Sequence, residues 1–173
     1  MIIGRIKQLR AKFKKLDIDG YVVPKNDEFF GEYPKIDRLY NISNFTGSAG
    51  IAVILANKNY LFLDGRYSIQ GQIESGKNFK IVSYEKIFNC SLFKGLTLGI
   101  DSKLFTTNQI KKYFLKENQI KHVEENLIDQ ILKKKVNDAK PFYSLGKNVV
   151  GQTHKTKIDQ ISKYLKTNKS DYL

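Results

Sequence analysis

Two apolar runs, Ile51 to Ala56 and Tyr60 to Leu63, are separated in this chain only by Asn57, Lys58 and Asn59. Strand-length runs around so short a polar break form a hairpin. Neither run alternates with polar residues, so both strands are expected in a sheet covered on its two faces. A loop of unusual composition flanks each end of the hairpin, Gly47-Ser48-Ala49-Gly50 before it and Asp64-Gly65-Arg66-Tyr67 after it. Glycine and small residues so crowded suit a tight turn or a close approach of backbone to another group. Their spacing matches neither a P-loop nor a dinucleotide fingerprint, which favours the turn over a phosphate cradle.

The remainder of the chain alternates helical and strand-like patterns. Ile6, Leu9, Phe13 and Leu16 recur at helical spacing among Arg10, Lys12, Lys14 and Lys15, predicting a surface helix over residues 4–16. Tyr21 to Val23 reads as a buried strand stopped by Pro24, which has no amide hydrogen for a ladder. Residues 25–40 carry Phe29, Phe30, Tyr33 and Pro34 without a period and read as a long loop, either lining a cleft or pinned to its own core. After Tyr67, Ile69 and Ile73 mark a short helix ending at Gly76. Strands follow at Phe79 to Tyr84, Leu96 to Ile100 and Ile120 to Val123. Between them come a short helix at Ile87 to Phe93 and a longer one at Thr106 to Glu117, with Thr106 or Thr107 as its cap and Ile110, Tyr113 and Phe114 inward. Asn126 caps a further helix through Leu132. Alternation of this kind implies an α/β fold, a mixed sheet with helices on both faces.

This first domain is expected over residues 1–132, followed by a basic linker at 133–140 where the apolar pattern stops. Residues 141–173 read as the incomplete start of a second, similar domain, with an amphipathic helix from Lys155 to Leu165 bearing Ile158, Ile161 and Leu165 on one side and a strand beginning at Ser170 to Leu173. That segment is too short to bury a core of its own.

The net charge of +13 raises the question of nucleic acid. Only Arg5, Arg10, Arg38 and Arg66 are arginines among 30 basic residues, whereas base and phosphate readers favour the guanidinium fork. No specific nucleic-acid partner is expected. No apolar stretch approaches the roughly 20 residues needed to span a bilayer, and the chain reads as soluble and cytoplasmic, with no membrane partner. The single Cys90 excludes an internal disulfide and is expected as a small core filler, and His122 and His154 lie 32 positions apart without a paired motif. No catalytic and no metal-binding residue is therefore assigned. Arg66 stands apart. It follows a buried strand directly and should emerge at the strand's carboxyl end, where open α/β sheets place ligands. Its guanidinium either contacts a ligand or pairs with Asp64 to pin the turn.

The ordered series Arg38-Leu39, Ile42-Ser43, Phe45-Thr46-Gly47-Ser48-Ala49-Gly50, the apolar hairpin and Asp64-Gly65-Arg66-Tyr67 closely resembles the N-terminal domain of Xaa-Pro aminopeptidases (aminopeptidase P, three-domain type) in the creatinase/prolidase superfamily. Asp27, Glu32-Tyr33 and Asp37 upstream, and Leu98-Gly99-Ile100-Asp101 and Glu125 to Asp129 downstream, are similar in the same order. One departure is Asn44, where the family usually has glycine; asparagine tolerates a positive φ next best, so the turn should survive. The resemblance implies a creatinase/prolidase N-terminal fold with its ribonuclease H-like motif and a non-catalytic part that shapes the substrate cleft. It implies Arg66 as substrate-binding, and as partner a peptide with proline at the second position. The family's third domain holds two divalent metal ions, typically manganese, and this chain then needs no cofactor of its own. A homo-oligomer is compatible with it. The alternatives are a stand-alone interaction module or truncated remnant docking to a separate catalytic part, and, further off, a basic nucleic-acid-binding protein.

Overall fold

A computed structural model describes residues 2–89, 91–133 and 143–171. Cys90, the segment 134–140 of the expected linker, and Tyr172 and Leu173 of the expected final strand fall outside the described residues, while Ser170 and Asp171, where that strand was expected to begin, have no strand structure. The chain divides into two compact units, Met1–Val136 and Asn137–Leu173.

The first unit is built on a six-stranded sheet in the order β4-β3-β2-β1-β5-β6. The strands are β1 Gly20–Pro24, β2 Gly50–Leu55, β3 Asn59–Leu63, β4 Lys80–Ser83, β5 Thr97–Ile100 and β6 Gln119–His122. β2 runs antiparallel to both of its neighbours, and every other pairing is parallel. The apolar runs at its centre are buried throughout β1 and β2, as strands with no wet face must be. Pro24 lies within β1, opposite Ile51, and closes the strand rather than lying beyond it.

Two apolar layers cover the two faces. On one, Tyr21, Ala52, Ile54, Leu61 and Leu63 meet helices α1 (Ile2–Arg10), α2 (Phe13–Leu16) and α3 (Arg38–Ser43), together with α4 (Ser68–Ser75) and α6 (Leu127–Leu132). On the other, Val22, Val53, Phe62 and Leu98 meet the 3-10 segment Tyr84–Asn89 and the helix α5 (Thr107–Ile110), which continues as a π turn over Lys111–Leu115. The expected helix over 4–16 is two helices with a break at Ala11 and Lys12. Thr106 caps α5 in a reciprocal capping box with Gln109, and Asn126 accepts the amides of Ile128 and Asp129 at the start of α6. Phe114 is buried, with Ile110 and Tyr113 partly so.

Helix α4 presents a different face to the sheet than its isoleucines suggest. It buries Gly71 and Ser75, while Ile69 and Ile73 are 76% and 78% exposed. A Cβ at Gly71 would lie 2.2 Å from Leu63 Cδ1, so a larger residue here would force the leucine side chain to shift. In the second unit, α7 (Lys147–Val150) precedes α8 (His154–Thr167), which starts at a Thr153 cap and leaves Ile158 and Ile161 exposed.

Candidate functional site

Because five of six strands run one way, the carboxyl ends of β1, β3, β4, β5 and β6 share one edge with the amino end of β2. That edge gathers the loop at 25–37, the Gly47–Gly50 loop, the Asp64–Tyr67 turn and the segments after β5 and β6. Chain order reverses between β1 and β5, the position at which open α/β sheets form a crevice.

Arg66 stands at this edge, in a 3-10 turn over Gly65–Tyr67. Asp64 Oδ1 accepts both the Arg66 backbone amide at 2.9 Å and the side-chain Nε at 3.0 Å. The guanidinium carbon also lies 5.5 Å from the centre of the Tyr67 ring. These hydrogen bonds hold the Asp64 carboxyl below the usual carboxylate range, and the same contact, with Glu32 adding a smaller attraction, raises the Arg66 pKa. The pairing with Asp64 uses Nε alone. The side chain is 74% exposed, and its two Nη groups have no hydrogen-bond partner among the described residues.

The turn is fixed from below by the loop that precedes the hairpin. Tyr67 Oη shares a hydrogen bond with Ser48 Oγ at 2.9 Å, and its ring meets Phe45 edge-on at a centroid distance of 5.7 Å. Phe45 is fully buried, and a Cβ on Gly47 would fall 2.2 Å from its ring, so Gly47 is there for close approach. The positive φ expected at Asn44 is found there, 73° at the end of α3. Thr46 closes the other side, its amide and hydroxyl donating to Glu74 Oε2 and Oε1 at 2.8 and 2.7 Å. Glu74 and the hydrogen-bonding role of Tyr67 have no signal in the sequence, because their partners are 28 and 19 residues away.

Glu74 titrates below its ordinary value of 4.5: burial works against the charge, but the Thr46 and Gln70 donors outweigh it. A carboxyl depressed by folding contributes stability that is complete above its unfolded value and lost as pH falls through the folded one. Glu74→Gln is accordingly expected to flatten the acid limb of stability, its urea midpoint falling less than that of the unaltered chain between about pH 5 and pH 3. Identical pH slopes for the two proteins would contradict the tether.

Near the reversal point lies a cleft of about 540 Å³ lined by Glu28, Arg38, Asp101, Glu124, Asn126 and Asp129, among others. Arg38 is buried and donates from Nε and Nη2 to both oxygens of Asp129 at 2.9 and 2.7 Å, with Glu28 3.7 Å from Nη1. Burial opposes its charge, but Asp129 and Glu28 leave its pKa raised. Asp101 accepts from Asn126 at 3.0 Å, and Lys25 pairs with Asp37, the cap of α3. Among the described residues no group of three or more His, Cys, Asp or Glu could hold a metal ion. His122 ends the edge strand β6 and His154 begins α8, both exposed. The described residues thus offer no donor set for a metal pair.

A mixed six-stranded sheet of this order, covered by helices on both faces, defines an α/β domain of the creatinase/prolidase N-terminal type. Residues 5–131 match the model of the creatinase/prolidase N-terminal domain, and the chain belongs to that family. It is 30% identical to Xaa-Pro aminopeptidase 1 of Dictyostelium discoideum over 196 aligned positions, which cover 99% of this chain and 31% of that protein. Its fold is similar to the X-prolyl aminopeptidase of Caenorhabditis elegans, described as a cytosolic enzyme with a di-nuclear active site: TM-score 0.71, 22% identity, 99% of this chain and 32% of that one. It is similar also to the N-terminal domain of a cytoplasmic peptidase from Mycobacterium tuberculosis, with a TM-score of 0.56 at 15% identity over 74% of this chain and 98% of that one. The chain therefore spans less than a third of the length of its aminopeptidase relatives. No helix among the described residues is long and apolar enough to cross a membrane.

Proposed function

We propose that this chain serves as the N-terminal, non-catalytic part of a cytoplasmic Xaa-Pro aminopeptidase. In this reading the carboxyl-edge loops wall the cleft that admits a peptide with proline second, and Arg66 reaches the bound chain. The observation that carries the reading is the state of Arg66: oriented through Nε by Asp64, exposed, with both Nη groups free of described partners. A guanidinium held this way can present two parallel donors to a peptide carbonyl or carboxylate. The catalytic part supplies the two divalent ions, typically manganese, and the activated water. Residues 133–140 act as a linker to residues 141–173, which belong to a second domain.

The test joins this chain to the catalytic region of the Dictyostelium relative. The chain alone, supplied with Mn²⁺, is expected not to turn over an Xaa-Pro peptide, and the joined protein is. Arg66→Ala in the joined protein should lower kcat/KM by about 10- to 150-fold, the equivalent of ~1.5–3 kcal/mol for a hydrogen bond to a charged group. Turnover by the chain alone, or an unchanged kcat/KM in the variant, would overturn the assignment. The exposed Ile69 and Ile73 on α4 favour a second reading, in which this chain docks as a separate polypeptide onto the catalytic part. Activity restored by mixing the two chains, and lost with Ile69→Glu, distinguishes it.

A further inference from the structure

β4 is the edge strand at one side of the sheet; it pairs with β3 and, among the described residues, has no partner on its other side. In a parallel ladder alternate residues turn their amide and carbonyl away from the neighbour, so an edge strand offers unpaired backbone groups. Along this edge runs a groove of about 250 Å³, with the strand's own four residues on one side and Lys86, Ser91 and Leu92 on the other. Val82, which is buried, and Leu92, which is partly so, contribute apolar surface to its lining. Lys80 and Lys86 stand at its rim, exposed. Among the described residues neither has an ion pair and no carboxylate lines the groove. The opposite edge differs: Lys121 of β6 lies 3.5 Å from Asp17.

We propose that the β4 edge binds an extended, acidic peptide segment by strand addition. Backbone pairing would supply the register, and Lys80 and Lys86 the selection for acidic side chains. A second copy of this chain is the poorer occupant. Abutting two such edges would crowd four unpaired ammonium groups between molecules that each carry a net charge of +13. Lysine on an edge strand also disfavours self-pairing in general. An acidic strand meets both demands of the groove, open backbone groups and uncompensated positive charge.

The test uses the whole chain and a fluorescein-labelled peptide of alternating valine and glutamate. Parallel arms use a valine/lysine peptide and a valine/glutamate peptide N-methylated at alternate amides. Anisotropy should show saturable binding of the acidic peptide, weakened at least about tenfold by N-methylation, with amide hydrogen exchange slowed at Lys80 to Ser83. Lys80→Glu combined with Lys86→Glu alters only exposed side chains, and is expected to transfer binding to the valine/lysine peptide while leaving the urea midpoint in place. Absence of saturable binding, equal binding of the N-methylated peptide, or protection elsewhere would overturn the proposal. So would protection of β4 by self-association without peptide, the signature of a second copy.

Discussion

Arg38→Ala is expected to destabilise the first unit by about 3–5 kcal/mol, because removing one member of a buried ion pair leaves the other charge uncompensated. The Arg38 side chain is only 7% exposed, and its two bonds to Asp129 join α3 to α6 across 91 residues of sequence. Asp129 retains 21% exposure, so water can partly solvate the abandoned carboxylate and the loss should fall toward the lower end of that range. Urea unfolding followed by circular dichroism measures it. Arg38→Met with Asp129→Leu should recover most of the stability, since replacing both partners removes the desolvation cost along with the attraction. A double variant as weak as the single one would show that hydrogen bonding, rather than an orphaned charge, dominates here.

Phe45→Ala is expected to cost about 3–5 kcal/mol by leaving a cavity beneath the Gly47–Gly50 loop. The ring is wholly buried, fills the space beneath Gly47 and abuts Tyr67, so nothing local can collapse into the gap without moving the Arg66 turn. Phe45→Leu keeps most of the volume and should cost less than about 1.5 kcal/mol. The same pair of variants separates packing from placement. In the joined enzyme, Phe45→Leu should lower kcat/KM only if the ring edge against Tyr67 orients Arg66. A Phe45→Ala loss below about 1.5 kcal/mol in urea would mean that the loop rests on something other than this ring.

Much of the fold was legible because its signals are local. The covered hairpin follows from two uniformly apolar runs around three polar residues, and the caps at Thr106 and Asn126 from hydrogen bonds spanning two or three positions. Asn44 takes the positive φ that the surrounding turn requires. What stayed hidden depends on distant partners. Helix α3 begins inside the stretch read as an irregular loop, since its cap Asp37 also serves the buried Lys25 and its core residues Leu39 and Ile42 offer only one turn of periodicity. The isoleucines of α4 misdirect any reading by apolarity alone, because Gly71 against Leu63 decides which face lies down. The Arg38–Asp129 pair and the Thr46–Glu74 tether cross 91 and 28 residues and have no local signature. The place of Arg66 at the carboxyl edge was legible for a simpler reason: it follows a buried apolar strand directly.

Strand order also sets a timetable for synthesis. β2 and β3 pair across a turn of a few residues and can zip up as soon as both exist, whereas β1 must wait for β5, with Gly20 meeting Leu98 only after 78 residues have followed it. Until then, a nascent chain leaving the ribosome carries the wholly apolar β1 with one flank unpaired, and chaperone capture should concentrate in that interval.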